Sequence, residues 1–226
     1  MAYEENDIDL FEVEDGVLTN FNDYFGPVKE ATVPDGVTAI GETCFLDRNK
    51  LERVVLPDSV KRIGESAFQG CVNLKEINIP DGCEVEGYAF SSCLHLESVN
   101  IKNSVSVGEN AFSSCEALES VTLSDKVKKI EEYAFNGCTK LYEINLPSGL
   151  EEIGEYAFGF CTTLKEIVIP AGVKSVGSKV FKGCKDIVVY CEAEEKPEGW
   201  ASDWDVTGGL FTKKRCKTIW GFKNKK

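Results

Sequence analysis

Seven phenylalanines recur at an almost constant interval along the chain and constrain its fold more than any other feature. They lie 22 or 23 residues apart, and the residue three positions after each is a cysteine in six of the seven cases. A leucine or isoleucine stands a further three positions on, and an aliphatic residue stands five positions before each ring. The phenylalanines are Phe45, Phe68, Phe90, Phe112, Phe135, Phe158 and Phe181. Four columns that keep register this long predict a tandem repeat.

Each repeat contains two segments with different patterns. The first, as in residues 164–169, follows Leu-x-x-Ile-x-Ile, which is the alternation of a strand with one buried face. Proline commonly follows it, where the missing N–H donor suits the end of a ladder. The second, as in residues 153–161, follows Ile-Gly-x-x-Ala-Phe-x-x-Cys and is too short for a long helix. It predicts a short extended piece followed by a tight turn or a single helical turn.

A repeat of this length cannot enclose its own apolar side chains, so successive repeats must stack. Stacking buries the side chains in a continuous column, with strands about 4.8 Å apart. The ends of such a stack would expose the core, so residues 1–27 are predicted to form a hairpin-like N-terminal cap, turning at Asp15-Gly16, and residues 187–226 a C-terminal cap that holds all three tryptophans. Between the caps, the seven predicted repeats (28–186) are 28–50, 51–73, 74–95, 96–117, 118–140, 141–163 and 164–186.

The repeat resembles the BspA-like class of leucine-rich repeats. The resemblance is carried by the Leu-x-x-Ile-x-Ile-Pro segment and by the return segment Ile153-Gly-Glu-Tyr-Ala-Phe-Gly-Phe-Cys161. The sequence departs from the pattern where Lys102 and Ser124 replace the turn proline and Arg48 replaces the first cysteine. The resemblance implies an α/β, β-rich fold: a right-handed leucine-rich-repeat solenoid (horseshoe) with a parallel concave sheet and capped ends. It also implies a binding or adhesion module, since many members lie at bacterial cell surfaces.

The chain contains ten cysteines, most of them in the repeat column. Free cysteine behaves as a small buried hydrophobe, so the column predicts packed thiols. Metal sites use close pairs such as C-x-x-C, and the sequence has none. Some disulfide remains an alternative, and Cys191 with Cys216, which lie outside the column, is the expected pair if the protein is secreted.

Charge and composition exclude several classes of function. The chain has 38 acidic and 25 basic residues, a formal net charge of −13, which argues against nucleic-acid binding through phosphate neutralisation. His95 is the only histidine, so a His-based triad or a multi-histidine metal site within one subunit is impossible. No apolar run approaches the ~20 residues that span a bilayer, and no signal-peptide pattern is present. We expect a cytoplasmic chain as written, with a cell-surface or secreted protein as the alternative.

The outward positions of the first segments form the best candidate ligand surface. Polar side chains at sheet spacing can hydrogen-bond an extended partner, and plain solvation of an exposed strand face is the alternative. The candidate ligand-binding residues are Glu30, Arg53, Glu76, Asn78, Ser98, Asn100, Ser120, Thr122, Glu143, Asn145 and Glu166.

Three further features have both a plain and a functional interpretation. A glutamate column is expected to be a solvated outer face, with a hard-cation site as the alternative. A tyrosine set before the Ala-Phe pair is expected to lie over neighbouring coils, with an adhesive aromatic stripe as the alternative. Residues 1–24 are acidic and residues 211–226 basic. Solvated ends are expected, and the alternatives are docking of the basic end on an acidic partner or a membrane surface, and end-to-end contact between chains. The glutamates are Glu42, Glu65, Glu109, Glu132 and Glu155, and the tyrosines are Tyr88, Tyr133 and Tyr156.

These observations favour a non-enzymatic leucine-rich-repeat module that presents a rigid curved surface to a protein or glycan partner. We expect a monomer that uses no cofactor, metal or nucleic acid. A structural or self-assembly protein is the first alternative. The second is an enzyme with a site at the tryptophan-rich C-terminal end, although the sequence contains no nucleophile motif or phosphate-binding loop.

Overall fold

The described chain is built from short β-strands joined by turns. The computed structural model describes residues 10–23, 26, 28–104, 106–208 and 214–223, and within these ranges there are eighteen strands and no helix. In chain order the strands are β1 Phe11–Glu14, β2 Val17–Phe21, β3 Glu30–Thr32, β4 Ala39–Ile40, β5 Arg53–Val55, β6 Arg62–Ile63, β7 Glu76–Ile77, β8 Glu84–Val85, β9 Ser98–Ile101, β10 Ser106–Val107, β11 Ser120–Leu123, β12 Lys129–Ile130, β13 Glu143–Ile144, β14 Glu152–Ile153, β15 Glu166–Ile169, β16 Ser175–Val176, β17 Val188–Cys191 and β18 Lys217–Ile219. Each repeat therefore supplies a first strand of two to four residues and a second strand of two residues.

The second strands join one continuous sheet along the whole stack. Its order is β1-β2-β4-β6-β8-β10-β12-β14-β16, and every pair is parallel except the hairpin β1–β2. Equivalent positions face each other, so Ile40 pairs with Ile63 and Ile130 pairs with Ile153. The register keeps the aliphatic column of the sequence on the buried face, and the parallel solenoid predicted from the repeat is confirmed.

The first strands form three separate parallel sheets instead of one. Their orders are β3-β5-β7, β13-β11-β9 and β15-β17-β18. At the first interruption, after β7, the side-chain amide of Asn78 accepts from the backbone N–H of Leu56 at 2.9 Å and donates to its carbonyl at 2.8 Å. The second interruption lies between β13 and β15. The single parallel sheet expected on this side is thus divided at two places.

The phenylalanine column is the centre of the core. All seven rings are fully buried, and consecutive rings from Phe45 to Phe181 stack with centroids 4.6–6.0 Å apart and planes within 10° of parallel. Phe21 of the hairpin continues the column at 4.7 Å from Phe45, and Trp204 meets Phe181 edge-on at 6.1 Å. The column therefore extends beyond the repeats at both ends. The boundaries of the two caps remain predictions.

The segment around each phenylalanine is a run of tight turns, which is the first of the two possibilities given by the sequence. The residue two positions before the ring has a positive φ in every repeat, for example 56° at Tyr133 and 52° at Tyr156. A left-handed residue cannot continue a right-handed helix, so the chain turns there. Backbone bonds then join the coils, as where the Phe112 N–H donates to the Ala134 carbonyl at 2.8 Å.

The cysteine column is buried, as predicted, and it makes a ladder of hydrogen bonds. The thiol of each of the six column cysteines donates to the carbonyl oxygen of the phenylalanine in the preceding coil, with Sγ···O distances of 3.0–3.2 Å. Where the first cysteine is replaced, the Arg48 guanidinium donates to the Phe21 carbonyl at 3.0 Å. The carbonyl therefore still accepts a hydrogen bond at this position, and the bond comes from a guanidinium in place of a thiol.

Candidate binding surface

The sequence-derived candidate residues lie on the outward face of the first strands, hereafter the first-strand face. Ten of them are exposed and Ser120 is half-buried. The three sheets divide them into three groups. The ladder registers align Glu30 with Arg53 and Glu76, Ser98 with Ser120 and Glu143, and Asn100 with Thr122, and they set Glu166 beside Val188.

The group nearest the N-terminus is largely occupied by its own contacts. The Arg53 Nε lies 3.5 Å from a Glu76 carboxylate oxygen, and Asn78 is held by the Leu56 backbone. Asn78 is therefore a structural residue as well as an exposed one. The central group, on β9 and β11, offers short polar side chains on a regular pair of strands.

In the first three coils, the charge alternates from one coil to the next at the position just before the first strand. The Glu52 carboxylate lies between the ammonium groups of Lys29 at 2.8 Å and Lys75 at 2.9 Å. Hydrogen bonds from both lysines lower the pKa of Glu52 to about 2. All three groups are open to solvent, so screening limits what this triad adds to stability. The two ion pairs hold these three side chains in place along the border of the first-strand face.

A groove opens at the second interruption, between β13 and β15, hereafter the C-terminal groove. Its volume is about 530 Å³. Three of the candidate residues lie in it together with three aromatic residues that the sequence reasoning did not select. Tyr142 is 56% exposed, and the rings of Tyr190 and Phe222 pack at 4.7 Å. The six residues are Tyr142, Glu143, Asn145, Glu166, Tyr190 and Phe222.

One of the missed aromatics had a signal in the sequence. Tyr142 occupies the position directly after the leucine column, which is glutamate or lysine in the neighbouring repeats. An aromatic residue at a position that is otherwise charged marks an irregular surface. Tyr190 lies on β17, which pairs with β15 beyond the last predicted repeat, and Phe222 lies beyond β18, so the repeat columns did not select either residue.

The family of the chain follows from a comparison of the repeat with known families. The family model of the BspA type Leucine rich repeat region matches six copies, over residues 20–106 and 83–188. The chain belongs to the BspA-type leucine-rich-repeat family. The resemblance inferred from the strand and return segments is thereby confirmed.

Two solved structures show how closely this BspA-type protein follows known folds. The leucine rich repeat protein of T. pallidum, TpLRR, is 29% identical with a TM-score of 0.71, covering 81% of this chain and 91% of that one. A leucine rich cell surface protein from Faecalibacterium prausnitzii is 26% identical with a TM-score of 0.53, covering 85% and 69%. A search of curated proteins found no match. The comparisons support the solenoid and the family.

The opposite side of this BspA-type protein carries a second, acidic groove of about 580 Å³. Glu132 and Glu155 of the predicted glutamate column line it. The Lys129 ammonium reaches Glu131 at 3.0 Å and Glu152 at 3.7 Å, which offsets part of the repulsion. Within the described ranges, no group of three or more histidine, cysteine, aspartate or glutamate residues is placed to hold a metal ion. The arrangement gives the hard-cation alternative no support.

The tyrosine set lies over neighbouring coils. The rings of Tyr133 and Tyr156 stack at 5.1 Å, and the Lys179 ammonium lies 5.7 Å from the centre of the Tyr156 ring. The Tyr88 hydroxyl lies 3.3 Å from a carboxylate oxygen of Glu109. Each tyrosine therefore contacts a residue of a neighbouring coil, as the plain interpretation expects.

The disulfide alternative for Cys191 and Cys216 is corrected by the structure, in which both are free thiols. The register pairs Val188 with Lys217, so Cys216 and Cys191 are four residues apart along the strand direction. At ordinary strand rise that is about 13 Å, well beyond the Cα separation of a disulfide. Burial raises the pKa of Cys191 to about 12 and that of Cys216 to about 11.

The remaining features have structural partners or lie outside the described residues. His95 Nδ1 lies 2.7 Å from the Val72 carbonyl oxygen. At the C-terminal end, all three tryptophans pack in one cluster, and the Trp200 indole N–H donates to the Val173 carbonyl at 3.1 Å. Parts of both charged terminal segments, residues 1–9 and 211–213 among them, are not described, so the end-to-end alternative stays a prediction. In the described parts of the chain, no helix has the length and apolarity to cross a membrane.

Proposed function

We propose that the chain is a non-enzymatic binding or adhesion module that presents its first-strand face to a protein or glycan partner. The observation that carries the proposal is the exposure of ten candidate polar residues along one side of a scaffold whose apolar side chains are buried in the core. The continuous sheet of second strands and the backbone bonds between the phenylalanine turns join the coils and hold those residues at fixed spacing. A pre-organised surface loses little conformational freedom on binding, which favours affinity.

Display of this module at the cell surface is part of the proposal. The free cysteines do not argue against an oxidising compartment, because burial raises the pKa of thiols such as Cys71 and Cys83 to about 12 and the reactive form is the thiolate. One of the similar structures is a cell surface protein, which supports the same location. Labelling of intact cells with a membrane-impermeant amine reagent tests it: labelling before lysis supports display, and labelling only after lysis contradicts it.

Two matched double variants test the binding face. Asn100→Lys with Thr122→Lys adds two long cations to the central group, where both side chains are exposed on adjacent strands. Thr38→Lys with Ser175→Lys makes the same charge change outside that face, at exposed positions in or beside the second strands. Candidate partners come from a glycan array and from proximity labelling, and affinities are measured by biolayer interferometry.

We expect the first double variant to weaken binding and the second to leave it near that of the unmodified protein. Loss of binding in the second variant only would move the site to the opposite side of the solenoid. Equal affinity in all three proteins would exclude the central group of the first-strand face as the binding surface. Circular dichroism confirms that each variant keeps its fold, so a change in affinity reports on the surface.

A further inference from the structure

The C-terminal groove coincides with a break in the backbone ladder. Strands β11 and β13 are paired, and β15 and β17 are paired, but within the described residues no ladder joins β13 to β15. Phenylalanine centroids are also wider apart toward this end, with Phe158 and Phe181 at 6.0 Å against 4.6 Å for Phe45 and Phe68. The groove is therefore a local departure from a regular stack.

The groove is negatively charged and has no internal counter-charge. Glu143 and Glu166 are exposed on its two sides, and neither carboxylate pairs with a lysine or arginine in the described parts of the chain. None of the residues that line the groove is basic, and the nearest base by ladder register, Lys217, lies two strands from Glu166. By contrast, Glu76 on the same face is paired with Arg53. The groove is thus a place where a ligand can supply the missing cation.

The aromatic residues of the groove match the same kind of ligand. The Tyr142 ring is more than half exposed, and the Tyr190–Phe222 pair forms a second wall. Aromatic faces attract ammonium and guanidinium groups, and the planar guanidinium also stacks on them. Asn145 adds an amide that can bond to a peptide backbone or side chain. Two unpaired carboxylates beside exposed rings favour a cation over a neutral sugar.

Building on the proposed binding function, we infer that the C-terminal groove binds an extended, arginine- or lysine-bearing segment of a protein partner. Glu143 and Glu166 pair with the cationic side chains, Tyr142 and the Tyr190–Phe222 pair cover their apolar stems, and Asn145 bonds to the backbone of the segment. The net charge of −13 steers such a segment toward the protein from a distance. Specificity resides in the groove, because screening weakens the distant charges at physiological salt.

The test uses the full chain and a capped decapeptide of alternating arginine and serine, titrated by calorimetry in about 150 mM salt, where the Debye length is about 8 Å. The matched peptide of glutamine and serine tests charge, and cellohexaose and chitohexaose test the neutral-sugar alternative. Glu143→Gln with Glu166→Gln should weaken binding of the arginine peptide about tenfold or more. Glu42→Gln with Glu116→Gln removes the same charge at exposed positions outside the groove and should change affinity by less than about twofold. Tyr142→Ala should weaken binding about threefold, whereas Tyr142→Phe keeps the ring and should bind as the unmodified chain does.

Each contrary result has a definite meaning. Equal weakening by the two charge pairs would show diffuse attraction and overturn the groove as a site. Absence of binding to the arginine peptide overturns the inference as well. Groove-dependent binding of an oligosaccharide in place of the peptide would also overturn it, yet it would leave the proposed binding function intact. The proposed function itself fails only if neither the groove variants nor Asn100→Lys with Thr122→Lys alter the binding of an identified partner.

Discussion

Replacing Phe112 by alanine removes one ring from the middle of the phenylalanine column and should divide the stack into two weakly coupled halves. The ring is fully buried and lies 5.3 Å from Phe90 and 5.5 Å from Phe135. A buried Phe→Ala change costs about 3–5 kcal/mol, and each lost ring pair adds about 0.5–1.5 kcal/mol. With two ring pairs lost, we expect Phe112→Ala to lower the free energy of unfolding by about 4–8 kcal/mol, a large part of the about 5–15 kcal/mol that stabilises a typical domain.

The position of the tryptophans lets the assay follow the C-terminal end of the stack separately from the rest. Trp200, Trp204 and Trp220 pack together at the C-terminal end, so their fluorescence reports on that end, whereas far-ultraviolet circular dichroism reports on all coils. Each coil contacts only its neighbours, so a central cavity weakens the coupling between the two halves. Urea unfolding curves from the two probes should coincide for the unmodified chain and separate for Phe112→Ala.

Phe160→Ala is the matched control, because Phe160 is 47% exposed and lies outside the column. Its effect should stay within about 0.5 kcal/mol, as for most surface substitutions. An unchanged unfolding midpoint in Phe112→Ala, or an equal loss in Phe160→Ala, would refute the claim that the stacked rings hold the coils together.

Three further predictions follow from the buried donors and the ends of the stack. Burial raises the pKa of the Cys71 thiol from 9.0 to about 12. Because the thiol loses its proton more readily in the unfolded chain, the free energy of unfolding, measured by urea unfolding, should fall as the pH rises above 9.0. Asn78→Ala should destabilise by about 1–2 kcal/mol, since it removes both bonds to the neighbouring backbone, whereas Asn100→Ala should stay within about 0.5 kcal/mol. Deleting residues 187–226 exposes Phe181 and should cause association in sedimentation; a stable monomer would contradict the cap assignment.

The sequence predicts the buried columns well because each is fixed by the repeat itself. A residue that recurs every 22 or 23 positions must meet its equivalents in the next coil, so Phe112 on Phe135 and Ile130 beside Ile153 follow from the period alone. The thiol ladder is less accessible to such reasoning. Burial of the cysteines follows from their column, but the bond from Cys115 to the Phe90 carbonyl depends on turn geometry that no spacing encodes.

The surface is predicted less well because side-chain partners there are not set by the period. Alternation correctly placed Asn78 on the outward face, yet its amide binds the Leu56 backbone and so stabilises the scaffold. The disulfide alternative for Cys191 and Cys216 was wrong for the same reason. The two cysteines lie outside the repeat column, and the β17–β18 register, which the repeat period does not set, places them four residues apart along the strand direction.

Departures from the repeat fall into two kinds, and the difference points to function. Arg48 breaks the pattern, but its guanidinium finds a backbone partner in the preceding coil and so repairs the local structure. Tyr142 also breaks the pattern, yet its ring stays exposed at the place where the ladder between β13 and β15 is interrupted. The repeats hold most of their other large rings in columns or stacks, and of the two large rings exposed in the described repeats, Tyr142 and Phe160, only Tyr142 lies beside two carboxylates in a groove. The irregularity that the fold does not repair is the one that a partner can recognise.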